Sequence, residues 1–261
     1  MHRCWSIPEV LKMIFEHLPP ETGLGQKALS RLARTCHQFT EPSLDSLWRE
    51  QVSFTPLLRC FPAIWEESDD DDQDDFTLDI NVVPEDWDRV LFYSNRIKRL
   101  LVRPHDAPTQ ENLQFFAMSV PADFLMPNLQ HLLWSPDDDE SFPFIRLFLG
   151  PNVTSLDIMM SGNISRIALL PFIGRKYPHL AHLRVLTPDD YGVDPDRLSQ
   201  AFYNAIHSLS HLETLCLQYI DDQTFSHLTS LPALRSLTLA DLDFTPDNSS
   251  HQSERRLFPA L

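Results

Sequence analysis

Histidine and cysteine are the residue types whose spacing in this sequence could support metal binding or catalysis. His179 and His182 form a His-x-x-His pair, and His207 and His211 are four residues apart. A zinc site needs further ligands, and neither pair is accompanied by a cysteine or glutamate set with ligand spacing. The cysteines include no Cys-x-x-Cys pair and are Cys4, Cys36, Cys60 and Cys216. Because Gly-x-Ser-x-Gly and Ser-x-x-Lys motifs are also missing, we expect no catalytic centre, no metal and no cofactor.

The charge balance excludes several classes of partner. The 261 residues include 37 acidic and 21 basic side chains, which gives a net charge of −16 with neutral histidine. Nucleic-acid-binding proteins need a basic surface, and polybasic membrane anchors need clustered lysine and arginine. The sequence has only 6 glycines, so phosphate-binding glycine loops are disfavoured as well. We therefore expect no nucleic acid, no membrane and no small-molecule substrate as a partner.

The sequence also carries a prediction of compartment. Lys12 and Glu16 interrupt the apolar residues near the N-terminus, so no signal peptide is expected. The widely spaced cysteines are typical of reduced thiols rather than of a disulfide framework. We therefore predict a protein of the cytoplasm, the nucleus or both.

The elements that would position a binding surface begin with three short amphipathic helices within residues 1–62. In the first, apolar residues at the i, i+3, i+4 and i+7 positions form one helical face: Leu11, Ile14, Phe15 and Leu18. The second repeats this spacing at Leu29, Leu32, Ala33 and Cys36. The third, expected after a break at Pro42, repeats it loosely at Leu44, Leu47, Trp48 and Val52. Such a small domain buries little apolar surface, so we expect it to gain stability by docking on a partner.

Residues 63–81 form an acidic segment between two parts of different pattern. Eight of the ten residues from Glu66 to Asp75 are acidic, so the segment cannot form a core and we predict a disordered linker. We expect the linker to give reach between the parts that it joins. A second acidic run, Asp137 to Glu140, is expected in a solvated loop.

Residues 82–261 contain an internal repeat. Six segments match the pattern apolar-x-x-Leu-x-apolar, with one relaxed position, and begin at Ile97, Leu129, Val153, Leu180, Leu212 and Leu234. Their starts are 32, 24, 27, 32 and 22 residues apart, which is typical of leucine-rich repeats. Returning helices are expected over 164–172, 198–209 and 225–231, and a covering helix over 84–93. The predicted fold is α+β: three helices, then an α/β solenoid of about six repeats with short parallel strands, whose final repeat is begun but incomplete.

The first fifty residues resemble an F-box. Ile7-Pro8-Glu9 opens the first helix, which ends in Ile14-Phe15-Glu16-His17-Leu18, and Leu47-Trp48 closes the motif. The sequence departs from the family at Phe39, where tryptophan is usual, and in a longer loop over residues 19–25. The segment from Asp86 to Leu100 is similar to the bridge in the many F-box proteins of mushroom-forming fungi.

The resemblance implies a partner and a surface for it. F-box helices dock on a Skp-type adaptor and through it join cullin and RING subunits. Carried over position by position, the adaptor-binding residues are Ile7, Pro8, Glu9, Ile14, Phe15, Leu18, Leu32, Cys36, Phe39, Leu47 and Trp48. Some of these must instead pack the three helices together, and core packing alone is an alternative for Leu32, Cys36, Pro8 and Trp48.

The repeats predict a second surface. Because side chains alternate along a strand, the variable positions of each segment face away from the core. Six of them are candidates for binding a target protein: Leu133, Asp157, Met159, Arg184, Leu186 and Cys216. The alternative is a solvated face on which Asp157 and Arg184 form an ion pair between neighbouring strands.

Three hypotheses about function follow. The first is a substrate-recognition subunit of an SCF-type cullin–RING ubiquitin ligase, which binds an unknown target protein and catalyses nothing itself. The second is a leucine-rich-repeat interaction scaffold without a ligase role. The third, a hydrolase or metalloenzyme, is disfavoured by the missing motifs.

Overall fold

The computed structural model describes residues 7–18, 22–61, 64–65, 76–77, 82–103, 107–136, 138–161, 163–187, 195–218, 220–239 and 255–256. Of the predicted acidic linker, the described residues include only 64–65 and 76–77. Of the predicted incomplete final repeat, they include only 255–256. The fold is α+β, with a mostly parallel sheet backed by helices.

The chain begins with the helices α1 (Pro8–Glu16), α2 (Gly23–Ala33) and α3 (His37–Trp48). The Thr22 hydroxyl caps α2 by accepting a hydrogen bond from the Gly25 amide at 3.1 Å. Pro42 lies inside α3, so the break predicted there is wrong. The proline costs one helical hydrogen bond, but packing of α3 against α1 and α2 holds both of its halves in place.

These three helices have a small core of their own. Leu11, Phe15 and Leu29 are buried together, and the half-buried side chains around them are Leu18, Leu32, Phe39 and Leu47. Phe15 and Phe39 meet edge to face with their ring centroids 5.8 Å apart. We call α1, α2 and α3 the three-helix unit.

A sheet follows this unit. Its strands are β1 (Glu50–Gln51), β4 (Arg99–Val102), β5 (His131–Trp134), β6 (Ser155–Met159), β7 (His182–Leu186), β8 (Thr214–Leu217) and β9 (Ser236–Leu239), all parallel and in this order. The dipeptide strand β10 (Arg255–Arg256) pairs antiparallel with β9. A separate antiparallel pair is formed by β2 (Ile64–Trp65) and β3 (Phe76–Thr77). The six segments predicted as strands therefore form parallel strands, whereas β1 was not predicted.

Two ladders of apolar side chains fix the register of the sheet. The first places six leucines side by side: Leu100, Leu132, Leu156, Leu183, Leu215 and Leu237. The second, two residues along each strand, consists of Val102, Trp134, Ile158, Val185, Leu217 and Leu239. All but Leu239 are buried, and a shift by one residue would turn a whole strand's apolar set towards solvent.

Helices connect the strands and cover one face of the sheet. They are α4 (Thr55–Leu58), α5 (Pro84–Ser94), α6 (Gln110–Ser119), the 3-10 helix Phe142–Leu147, α7 (Ile164–Lys176), α8 (Pro195–Ile206) and α9 (Asp222–Leu228). The helices predicted near residues 84, 164, 198 and 225 are thus present. Leu170 of α7 and Phe202 of α8 belong to the same large core as the leucine ladder. Among the described helices, none is long and apolar enough to cross a membrane.

The three-helix unit is joined directly to the sheet. The Arg49 carbonyl after α3 accepts hydrogen bonds from the Lys98 and Arg99 amides at 2.8 and 2.9 Å, which starts the β1–β4 pairing. Arg96 forms ion pairs with Glu41 and Asp45 of α3. Trp48 stacks on Tyr93 with ring centroids 4.5 Å apart. These contacts hold the two parts together, in contrast to the reach that we expected from the acidic segment.

Residues just after the three-helix unit also belong to the large core. Phe54, Leu57, Leu58 and Phe61 are buried there, and the Phe61 ring meets Trp87 edge to face at 5.0 Å. From the sequence we expected these residues to belong to the first domain, because their local pattern is helical. In the structure, the small separate core contains side chains from α1, α2 and α3.

Candidate functional site

The outer face of the sheet carries the candidate target-binding residues in neighbouring rows. One row runs across five strands and contains Leu101, Leu133, Asp157, Arg184 and Cys216 at paired positions. In the next row Met159 pairs with Leu186. All of these side chains are half-buried, whereas the ladder residues between them are buried. The alternation expected from the sequence therefore brings the six candidates onto one surface.

A groove lies among these side chains, towards the carboxyl ends of the strands. Its volume is about 510 Å³, and its lining consists of Arg103, Leu133, Ser135, Asp157, Ile158, Met159, Arg184 and Leu186. Five of the six candidates line it, and Cys216 lies on the far side of Arg184. Arg103 and Ser135 also line the groove, and their part in it follows from the packing of neighbouring strands. We refer to this feature as the groove.

Asp157 is the acidic group of the groove, and its closest basic neighbour is a histidine. His131 Nε2 lies 4.0 Å from Asp157 Oδ2, while His131 Nδ1 is 2.7 Å from the Ser155 hydroxyl. Burial raises the pKa of Asp157, although the charges of His131 and Arg184 act in the opposite direction. Burial likewise lowers the pKa of His131, against the effect of Asp157. The two groups therefore share a site in which burial favours their neutral forms.

Two arginine side chains of the groove make no hydrogen bond or ion pair with other residues in the described part of the chain. They are Arg103, which is exposed, and Arg184, which is half-buried and whose Nε atom is buried without a hydrogen-bond partner. The ion pair between Asp157 and Arg184, which the sequence offered as the alternative to a binding role, is not formed among the described residues. Arg99, by contrast, binds Glu50 at 3.0 Å.

A buried arginine holds the end of one strand that lines the groove. The Arg166 side chain is 5% exposed and donates to the carbonyl oxygens of Met159 and Asp138 at 3.2 and 2.9 Å. Its guanidinium lies 4.5 Å from the centre of the Phe142 ring. Because Met159 ends β6, this clamp holds the strand end that presents one wall of the groove.

The acidic run before the 3-10 helix completes the clamp. Asp139 lies exposed in a turn, as expected for a solvated loop, but its carboxylate is also the ion-pair partner of Arg166. Its carboxylate binds Arg166 Nε at 2.6 Å and accepts hydrogen bonds from Ser161 and Asn163, both at 2.9 Å. Burial acts to raise the pKa of Asp139, but the hydrogen bonds from Asn163 and Ser161 and the charge of Arg166 outweigh it and lower the pKa. No periodic signal marked Arg166 or Asp139 in the sequence.

The second candidate surface lies on the three-helix unit. Ile7, Glu9 and Ile14 are exposed there, with Ile7 45% and Ile14 40% accessible. Phe15 is buried in the small core, and the half-buried candidates are Leu18, Leu32, Cys36, Phe39, Leu47 and Trp48. The Pro8 side chain lies outside the described part. Two further apolar side chains, Met13 at 62% and Leu24 at 83%, are exposed beside the candidates.

The histidine pairs do not build a metal site in the structure as described. Among the described residues there is no group of three or more histidine, cysteine, aspartate or glutamate side chains that could hold a metal ion. His207 packs against Tyr203 and against His227 of α9, with the two imidazole centroids 4.8 Å apart. This cluster connects α8 to α9.

Comparison of the chain with protein-family models and with curated proteins found no match.

Proposed function

We propose that this protein is a substrate-recognition subunit of an SCF-type cullin–RING ubiquitin ligase. In this proposal the three-helix unit is an F-box that docks on a Skp-type adaptor, the repeats form a leucine-rich-repeat solenoid, and its outer face binds a target protein. The protein then performs no bond chemistry. It acts by holding the target near the ubiquitin carrier, which raises the effective concentration of the target's lysines.

The observation that carries the proposal is the apolar surface of the three-helix unit. Its core consists of three buried side chains, while Ile7, Met13, Ile14 and Leu24 remain 40–83% exposed. A unit with so small a core would gain stability if these side chains were covered. Exposed isoleucines on the same small unit as half-buried aromatic residues such as Phe39 are typical of an interface with a buried apolar centre.

The outer face of the sheet supports the second half of the proposal. Parallel sheets are normally covered on both faces, because their strands are apolar on both sides. Here helices cover one face, and the other carries half-buried side chains such as Leu133, Met159 and Leu186 around the groove. A face of this kind suits a protein ligand, which would bury the aliphatic side chains.

Capture of a recombinant Skp-type adaptor tests the proposal. The full chain should bind the adaptor, and Ile14→Asp should weaken binding at least about tenfold, because a charge would enter the apolar centre of the interface. Phe15→Asp is a poorer probe, since Phe15 is 2% exposed and its loss would unfold the three-helix unit. Ile164→Asp, at an exposed position on α7, is the matched control and should bind like wild type.

Failure of the wild-type chain to capture the adaptor would exclude the ligase role, as would equal capture by Ile14→Asp. The interaction scaffold without a ligase role would then be favoured, since it needs the outer face but no adaptor. The proposal places the protein in the cytoplasm or the nucleus, where such ligases act. Cys36 and Cys60 form no disulfide within the described residues, and reduced thiols are typical of those compartments.

A further inference from the structure

We propose that the groove binds a peptide segment of the target protein in which a side-chain carboxylate stands beside an aliphatic residue. The carboxylate would bind Arg184 and Arg103, and the aliphatic side chain would lie on Leu133, Met159 and Leu186. This inference rests on the proposed function for the identity of the ligand as a target protein. Its chemistry follows from the lining of the groove.

Arg184 has hydrogen-bond donors that no other described residue uses. The Nε atom of this residue is buried and has no hydrogen-bond partner, and within the described residues its guanidinium makes no ion pair. A buried charged donor without a partner is costly, so proteins normally satisfy such groups. A guanidinium offers a planar fork that matches the two oxygens of a carboxylate. Arg184 is therefore available to a ligand and is shaped for an anion.

The charges of the groove determine which anion fits. Two guanidinium groups and one carboxyl group, that of Asp157, line the groove, so at neutral pH it carries at least one positive charge in excess. With Asp157 ionised, a single carboxylate balances that excess, whereas a doubly charged phosphate would exceed it. The net charge of −16 resides mostly elsewhere on the chain, and salt screens it beyond about 8 Å at physiological ionic strength.

The walls of the groove determine what accompanies the carboxylate. Leu133, Met159 and Leu186 form an aliphatic wall, and Ser135 donates a hydrogen bond to the Met159 sulfur at 3.5 Å. Strands β5, β6 and β7 are paired on both sides, so their backbone groups are already used in the sheet. The ligand must therefore be bound through side chains, and an aliphatic residue next to the carboxylate would bury this wall.

Selection from a displayed library of random twelve-residue peptides tests the inference, with the full chain as bait. Enriched peptides should contain aspartate or glutamate next to leucine, isoleucine, methionine or phenylalanine. Exchange of that acid for its amide should weaken binding at least about tenfold, the loss typical of a deleted charge-assisted hydrogen bond. A version with phosphoserine at that position should bind no better than the carboxylate.

Variants of the protein locate the binding to the groove. Arg184→Gln should lose at least about tenfold in affinity, and Arg184→Lys should lose less, since it restores the charge without the fork. Arg103→Gln should weaken binding too, whereas Arg175→Gln, on exposed α7 surface, should not. Unfolding curves that match wild type would show that Arg184→Gln folds.

The inference is overturned if no peptide is enriched, if the enriched peptides lack an acidic residue, if the phosphoserine version binds more tightly, or if Arg184→Gln binds them like wild type. The assay contains no adaptor, and the adaptor assay contains no peptide. Loss of peptide binding with intact adaptor capture therefore rejects the groove inference alone. Peptide binding without adaptor capture rejects the ligase role alone.

Discussion

Substitution of Gly174 by alanine should loosen the helical layer behind the groove. Gly174 lies in α7, and an added Cβ would stand 2.3 Å from the carbonyl oxygen of Ala205 in α8. It would also stand 2.8 and 2.9 Å from the Cα and carbonyl carbon of Ala205. All three are backbone atoms, so a change of side-chain rotamer cannot relieve the contact. The two helices would have to move apart.

Two opposing effects set the size of the loss. Overpacking costs about 1–3 kcal/mol, and a clash with backbone alone belongs at the upper end of that range. Alanine returns about 0.5–1 kcal/mol because it restricts the unfolded chain more than glycine does. The net expectation is a loss of about 2 kcal/mol in the free energy of unfolding. For a chain of this size that corresponds to a fall of roughly 4–8 °C in Tm.

Urea unfolding followed by circular dichroism measures this loss. Gly150→Ala is the matched control, because its Cβ would meet its nearest atoms at an ordinary 3.6–3.7 Å. We expect its free energy of unfolding to stay within about 0.5 kcal/mol of wild type. A Gly174→Ala variant as stable as wild type would refute the close approach of α7 and α8. An equal loss in both variants would show that the effect is not specific to that crossing.

Two further predictions concern a buried arginine and a half-buried histidine. Arg166→Met should lower the free energy of unfolding by about 3 kcal/mol, because it removes a buried charge from its carboxylate and carbonyl partners. Arg175→Met is the control and should change the free energy of unfolding little. Equal urea midpoints for the two variants would contradict the clamp. Burial, together with the charge of His207, lowers the pKa of His227 below its ordinary 6.5. The stability that neutral His227 contributes should therefore be complete above pH 6.5 and decrease as the pH falls below it, because the unfolded chain then binds more protons. His227→Gln should reduce this decrease in urea midpoints between pH 7.5 and 5.5, and an unchanged slope would contradict the assignment.

The leucine ladders show how much of this fold a single sequence can predict. The spacing of Leu100, Leu132 and Leu156 was enough to identify the strands and the face that each turns to the core, because buried and exposed positions alternate strictly. Strand β1 was not predicted, because Glu50 and Gln51 are polar and show no apolar alternation. The strand is held in place by the hydrogen bonds of the Arg49 carbonyl and by its pairing with β4. The break predicted at Pro42 is absent because packing overrules the local helix propensity.

The groove could be predicted only in part. Period-two alternation placed Leu133, Asp157 and Arg184 on one face, and the common register of the repeats made them neighbours. That Asp157 would lie close to His131 while Arg184 stayed without a partner depends on side-chain conformations, which the pattern does not determine. The Arg166 clamp joins residues up to 30 positions apart across two loops of irregular length, so no periodic signal reports it.

The direct attachment of the three-helix unit has a consequence for the acidic segment. Phe61, before it, and Val82, after it, both pack against the large core. Both ends of the segment are therefore anchored on the same core, and the length of the segment does not set the distance between α1 and the groove. Doubling the length of such an excursion costs only about 0.6 kcal/mol in closure entropy. Insertions and deletions there should be tolerated, while changes at Arg49, Arg96 or Trp48 would alter the angle between the three-helix unit and the sheet.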